Sequence, residues 1–156
     1  MKYRYFLALL VLSSPAQAEG APPRDGVWTV RSVEAVMGAA CPPYFQPMAE
    51  QMAANLGKRD TYDLRWNGRF DPNTTQGLDP DAQGVVWVAQ DDGSWTANLA
   101  GEGKDYVVAR MTQLSETEIM NRVEMDVERM MEVEGGALPG VAGCGLTMTL
   151  VMEHKG

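Results

Sequence analysis

The only two cysteines constrain this chain more than any other feature. Cys41 begins the stretch Cys41-Pro42-Pro43-Tyr44-Phe45, just after the first apolar segment, and Cys144 opens the last apolar segment. Two cysteines in an exported chain are most simply a disulfide, which here would close a loop of about 100 residues. Neither belongs to a C-x-x-C motif, and there is a single histidine, which argues against a redox or zinc site. We therefore expect a structural Cys41–Cys144 disulfide.

Residues 1–18 have the pattern of a secretory signal peptide. A basic start at Lys2 and Arg4 is followed by a short apolar core and by an A-x-A cleavage site that ends at Ala18. The apolar run is shorter than the roughly 20 residues that span a bilayer. The sequence therefore predicts a periplasmic or secreted protein with no membrane span after cleavage.

The remaining chain is long enough for one domain with a hydrophobic core. We expect residues 19–25 to be a flexible lead-in and residues 26–156 to be a single β-rich domain closed by the disulfide. The formal charge is −8, from 21 acidic and 13 basic residues. An acidic domain repels phosphate backbones, so we expect no nucleic-acid partner.

Alternation of apolar and polar residues predicts seven strands. They cover residues 26–33, 62–70, 85–88, 95–99, 106–111, 118–128 and 144–154. In the first strand the alternation changes phase near Ser32, which predicts a β-bulge. Asp91-Asp92-Gly93 predicts a hairpin between the third and fourth strands. In the last strand Cys144 and every second residue as far as Met152 face the core.

The segment 115–133 fits two structures. A capping box at Ser115-x-x-Glu118, with apolar residues at helical spacing, is typical of a helix. Strict alternation of Val123, Met125 and Val127 with charged residues is typical of a strand. A helix would place Met125 on its solvated side, so we predict a strand over 118–128 after a turn at 115–117.

One helix is predicted between the first two strands. Phe45, Met48, Met52 and Leu56 recur at spacings of three and four, and Gly57 is a natural C-cap. The predicted fold class is mainly β (α+β), with about seven antiparallel strands curled into a small barrel or sandwich around this helix.

No pattern of an established catalytic site is present. The chain has no G-x-S-x-G, no H-E-x-x-H and no phosphate-binding glycine loop. Its single histidine, His154, is poorly placed to serve a nucleophile. We expect a protein that is not an enzyme. A hydrolase that uses paired carboxylates remains an alternative, although 21 acidic residues produce such pairs by chance.

Methionine is unusually frequent, with 11 residues. Thioethers bind copper(I) in oxidising compartments, and Met148, Met152 and His154 share one face of the last strand. A copper(I)-handling protein is therefore a second alternative. Methionine also fills irregular gaps in hydrophobic cores, and no Met-x-x-Met run occurs. We predict neither a metal nor another cofactor.

Two short motifs suggest a ligand-holding fold. Gly26-x-Trp28 opens the first strand and Asp105-Tyr106 opens a later one. These motifs resemble those of lipocalin-type barrels, a resemblance that covers only these positions. The helix predicted after the first strand departs from that pattern, which has a lid-like loop there.

The leading interpretation is a non-catalytic, exported binding domain for a small apolar ligand or a protein partner. Five aromatic residues form the candidate ligand site: Tyr62, Trp66, Phe70, Trp87 and Trp95. Three of them share one side of the second predicted strand, where they must be buried against the helix or against a ligand.

Overall fold

Alternating side chains along most strands build one antiparallel sheet. The computed structural model describes residues 20–56, 61–77, 84–101, 103–136 and 139–156; the predicted signal peptide and the predicted helix cap at Gly57 lie outside these ranges. The strands are β1 (Gly26–Met37), β2 (Tyr62–Leu64), β3 (Trp87–Ala89), β4 (Trp95–Asn98), β5 (Val107–Ser115), β6 (Glu118–Asp126) and β7 (Gly145–His154). Their order in the sheet is β2-β1-β7-β6-β5-β4-β3.

The sheet curls into a half-barrel, with helix α1 (Gln46–Leu56) between β1 and β2. A 3-10 turn at Pro43–Phe45 leads into α1 and contains the proline that follows Cys41-Pro42. The predicted mainly β fold with one helix between the first two strands is therefore confirmed. No helix among the described residues is both long and apolar enough to cross a bilayer.

The predicted bulge in the first strand is present. The pairing of β1 with β7 shifts register between Val30 and Ser32. Beyond the bulge the ladder continues to Met37, which lies opposite Leu146, so the strand is longer than the predicted 26–33. The bulge keeps apolar side chains on the core face on both sides of the shift.

The second predicted strand, 62–70, is wrong beyond Leu64. Asn67 and Gly68 both adopt positive φ, 56° and 77°, which turns the chain. After the turn the chain returns, and Arg65 forms an isolated bridge with Gln76. The apolar–polar alternation of the sequence nevertheless extends to Trp66, because the Trp66 side chain is also buried.

The ambiguous segment is mostly a strand. β6 ends at Asp126, and a short helix α2 (Val127–Val133) follows, so the predicted strand 118–128 is confirmed except for its last two residues. Asp126 ends the strand because its carboxylate Oδ1 accepts a hydrogen bond from Arg129 N at 2.9 Å, an N-cap for α2.

Replacing Asp126 by alanine should lower the free energy of unfolding by about 1 kcal/mol, since the Arg129 N–H would lose its acceptor and the start of the helix a favourable negative charge. Asp126→Asn keeps the acceptor and should cost about half as much or less. Urea unfolding of both variants checks this. Equal losses in the two variants would show that the carboxylate does not act as a cap.

Two clusters of buried side chains lie on one face of the sheet. The helix cluster contains Phe45, Ala49, Ala109, Val123, Val127, Val141, Cys144, Leu146 and Met148. The tryptophan cluster contains Trp28, Leu64, Trp66, Met111, Ile119 and Met152. Half-buried Trp87 packs against both clusters. The alternate residues of β7 predicted to face the core all do so, although Leu150 is only half-buried.

The predicted disulfide is present. Cys41 and Cys144 are bonded with their α-carbons 4.4 Å apart. The bond joins the turn before α1 to the residue before β7, and Cys144 is part of the helix cluster. The crosslink therefore fixes α1 against the sheet it covers.

The segment expected as a flexible lead-in lies along the sheet. The backbone N–H of Arg24 donates to Glu116 O, and Trp28 Nε1 donates to Arg24 O at 2.9 Å. The Asp25 carboxylate accepts the backbone N–H of Trp66 at 2.5 Å. These bonds attach the segment to both ends of the tryptophan cluster.

Edge strand β3 is covered at its first residue, Trp87, by a side chain. Asn73 Nδ2 donates to Trp87 O at 2.9 Å, and Asn73 Oδ1 accepts from Trp87 N at 2.8 Å. The amide thus makes the two hydrogen bonds that another strand would make. Such a cap reduces edge-to-edge association of sheets.

Candidate functional site

The aromatic residues of the predicted site lie on the core face of the sheet. Trp66 is fully buried, with its ring centroid 6.2 Å from Trp28 and 5.5 Å from Phe70. Tyr62 and Trp87 pack against the same tryptophan cluster. Trp95 is half-buried on β4 opposite Met111 and belongs to neither cluster. The structure thus brings four of the five together and leaves Trp95 apart.

Helix α1 does not cover the tryptophan cluster. Its Ala49 and Met52, with Phe45 before it, pack in or against the helix cluster, and Met48 is exposed. The expected helical face of Phe45, Met48 and Met52 is therefore only partly correct. Trp66 is instead buried against the sheet residues Met111, Ile119 and Met152.

The copper(I) alternative rests on residues that the fold separates. Met148 belongs to the helix cluster and Met152 to the tryptophan cluster, four residues apart on one strand, which places their α-carbons about 13 Å apart. His154 Nε2 lies 3.0 Å from Asp25 O, and its Nδ1 accepts from Gly156 N. Within the described ranges, no group of three or more His, Cys, Asp or Glu side chains is arranged to hold a metal ion.

Two buried polar atoms on the core face have no hydrogen-bond partner among the described residues. They are Trp66 Nε1, a donor, and Asn121 Oδ1, an acceptor. Asn121 faces the core from β6, opposite Met111 and Leu150, between the two clusters. A polar residue at this position interrupts the apolar alternation of β6, and the sequence analysis did not single it out.

The opposite face of the sheet is open and carries a groove. This groove has a volume of about 580 Å³ and lies over the ends of β1, β5, β6 and β7. Val36 and Val108 form its apolar lining on the sheet, with exposed fractions of 50% and 39%. Glu124 and Thr147 lie between these valines in the register of the sheet.

Charged side chains at the rim of the groove are already paired. Asp105 Oδ1 accepts from Arg129 Nε at 2.5 Å, and this hydrogen bond holds the pKa of the Asp105 carboxyl below its ordinary value. Asp126 caps α2, and Glu124 forms an ion pair with Arg122. The rim carboxylates therefore have structural partners.

Tyr106 closes one side of the groove through a second charged set. Its hydroxyl donates to Glu134 Oε1, which also accepts from Lys104 Nζ at 2.7 Å. These two donors hold the pKa of Glu134 below its ordinary value. The hydrogen bond to Glu134 raises the pKa of Tyr106, so the phenol remains protonated and positioned.

A smaller cavity of about 220 Å³ lies next to the groove and shares Val108 and Glu124 with it. Thr96, Arg110 and Arg122 complete its lining. The two arginines face each other directly across β5 and β6. The sequence analysis missed both. The only sequence signal for them is that each occupies a solvent-facing position in a strand with apolar–polar alternation, and that a short turn connects the two strands.

Each arginine is paired with a carboxylate. Arg110 Nη1 donates to Asp92 Oδ2 at 3.1 Å and to Ser94 Oγ at 2.8 Å, while Arg122 Nε lies 2.9 Å from Glu124 Oε1. Hydrogen bonds from Ser94, with Arg110 adding a smaller electrostatic contribution, hold the pKa of Asp92 below its ordinary value. The two guanidinium groups thus have different partners, and one of these, Glu124, itself lines the small cavity.

Comparison of this chain with protein-family models, with curated proteins and with solved structures found no significant match, so the assignment of function rests on the site itself.

Proposed function

We propose that this protein is a non-catalytic binding domain that acts after export and holds a small, partly apolar ligand in the groove on the open sheet face. The observation that carries the proposal is the groove itself. Its volume of about 580 Å³ falls within the range of roughly 300–1,000 Å³ that is usual for small-molecule sites.

The lining of the groove suits such a ligand. Val36 and Val108 expose apolar surface from two separate strands of the same sheet, and a ligand that covers them removes this surface from water. Strands hold these side chains more rigidly than loops would, which lowers the entropic cost of binding.

The polar rim favours binding over chemistry. Its carboxylates are engaged as an ion-pair partner of Arg129, as a helix cap and as the partner of Arg122. A general base must reach a proton on the substrate, and a carboxylate held in this way is poorly placed to do so. Engaged carboxylates also weaken the hydrolase alternative. The disulfide fits an oxidising compartment outside the cytoplasm.

Binding of a neutral apolar fluorophore, N-phenyl-1-naphthylamine, tests the proposal. We expect saturable binding by the purified protein and a loss of affinity of about tenfold or more in Val36→Glu, which places a charge on the apolar lining. Val88→Glu is the matched control, because Val88 is an exposed valine of the same sheet but does not line the groove.

Absence of saturable binding, or an equal loss in Val36→Glu and Val88→Glu, would refute the groove as the ligand site. A loss caused instead by Trp66→Ala, with Val36→Glu unaffected, would move the site to the aromatic residues of the core face.

A further inference from the structure

We propose that Arg110 and Arg122 form an anion subsite, so that the ligand of the groove is an amphiphile with a carboxylate, sulfate or phosphate head. The anion subsite stands on its own geometry, whereas the amphiphile depends on the function proposed above.

The arginines form a like-charged pair across two strands, and each is also paired with a carboxylate. Residues directly opposite on antiparallel strands have β-carbons about 5 Å apart, and like charges in that arrangement are destabilising. Arg110 and Arg122 are such a pair near the middle of the sheet, and both are about half exposed. An anion between them converts the repulsion into two attractive contacts.

The donor groups are oriented before any ligand arrives. Asp92 and Ser94 hold Arg110, and Glu124, which also lines the cavity, holds Arg122. The bonds described use Nη1 of Arg110 and Nε of Arg122, so a bound anion would be held by remaining N–H groups of the two guanidiniums. Planar guanidinium groups bind carboxylates and phosphates through paired, charge-assisted hydrogen bonds.

Thr96 adds a third donor to the small cavity. Its Oγ1 accepts a hydrogen bond from Gln90 Nε2 at 2.8 Å. A hydroxyl that accepts one hydrogen bond still has its own proton to donate. Because Thr96 lies opposite Arg110 on the neighbouring strand, this proton is available on the same side as the arginines.

The two cavities are neighbours that share two lining residues, and this arrangement defines the class of ligand that we propose. Both are lined by Val108 and Glu124, with the arginines on one side and Val36 on the other. An anionic head between the arginines therefore leaves an attached apolar body over Val108 and towards Val36. The guanidinium groups match the charge of the head and the valines match the apolar body, while Glu124, which lines both cavities, is paired with Arg122.

The acidic character of the chain does not prevent this binding. Its formal charge of −8 repels anions at long range, but salt at 0.15 M screens exposed charges beyond about 8 Å. At contact distance the two guanidinium groups dominate. We accordingly expect affinity to depend on ionic strength and the long-range charge to slow association without abolishing binding.

Titration with sodium sulfate, followed by NMR of the backbone amides or by calorimetry at low chloride, tests the subsite separately from the groove. We expect saturation at a single site, with affinity reduced at least about tenfold by Arg110→Gln or Arg122→Gln. Arg65→Gln is the matched control, because Arg65 is also half exposed and paired with a carboxylate but lies away from both cavities. No saturation, or an equal loss in Arg65→Gln, overturns the subsite.

Decanoate and decanol separate the two proposals. We expect decanoate to bind more tightly than either sulfate or decanol, with losses in both Arg122→Gln and Val36→Glu. If sulfate binds at the arginines but decanoate gains nothing over sulfate, the subsite stands and the amphiphile is refuted. If decanol binds as well as decanoate and Arg122→Gln has no effect, the groove stands and the anion subsite is refuted.

Discussion

Reduction of the Cys41–Cys144 disulfide should lower the free energy of unfolding by roughly 4–5 kcal/mol, the largest effect we expect from any single change. The bond links residues 103 positions apart, and its loss releases a long loop in the unfolded chain. With a slope of about 2 kcal/mol per molar urea, the unfolding midpoint should fall by about 2 M. Urea unfolding with and without a reductant measures this shift.

The double variant Cys41→Ala, Cys144→Ala is the matched control. Its midpoint should lie at or slightly below that of the reduced parent protein and should not respond to reductant. Cys144 lies within the helix cluster, so alanine there adds the cost of a small cavity to the effect of the missing bond. A midpoint that reductant leaves unchanged in the parent protein would contradict a stabilising role for the disulfide.

Trp66→Ala should destabilise the protein by about 3–5 kcal/mol, because it removes the centre of the tryptophan cluster and leaves a cavity. The side chain is fully buried and contacts the rings of Trp28 and Phe70. Urea unfolding measures the loss. A loss well below 1 kcal/mol would mean that Trp66 lines a space open to a ligand instead of filling a packed core.

Trp66→Phe distinguishes the effect of losing the indole N–H from the effect of losing the whole aromatic ring. Since Trp66 Nε1 has no hydrogen-bond partner among the described residues, phenylalanine sacrifices volume without breaking a bond to a described residue. We expect a loss of about half that of alanine or less. A loss in Trp66→Phe as large as in Trp66→Ala would indicate that the indole N–H is bonded to an internal water molecule.

Most of the sheet could be predicted from alternation because one face of the half-barrel is buried and the other is open. β7 was predicted almost to the residue, and the bulge in β1 followed from a change of phase at Ser32. The second strand failed after Leu64 for a local reason. Asn67-Gly68 adopts positive φ, and that turn signal is stronger than the alternation around it.

The candidate site could not be predicted in the same way, because it depends on register between strands. A two-residue turn at Glu116-Thr117 pairs odd positions of β5 with even positions of β6. The core-facing residues of both strands have odd numbers, among them Ala109 and Val123. The structure resolves the conflict with a register shift between Gln113 and Ser115, which is what brings Arg110 opposite Arg122. The aromatic residues could be selected from the sequence by their size. The arginines have the pattern of ordinary solvent-exposed residues, so the sequence did not indicate a site there.

The place of β7 between β1 and β6 limits when this protein can fold as it is made. Until residues 145–154 have been synthesised, β1 has no partner on one side, and the meander from β3 to β6 lacks its central neighbour. A growing chain therefore holds two incomplete sheets, whose joining requires contacts between distant parts of the sequence, a slow step. The export that we propose would fit this delay, because the chain would cross the membrane before it folds and before Cys41 and Cys144 are oxidised.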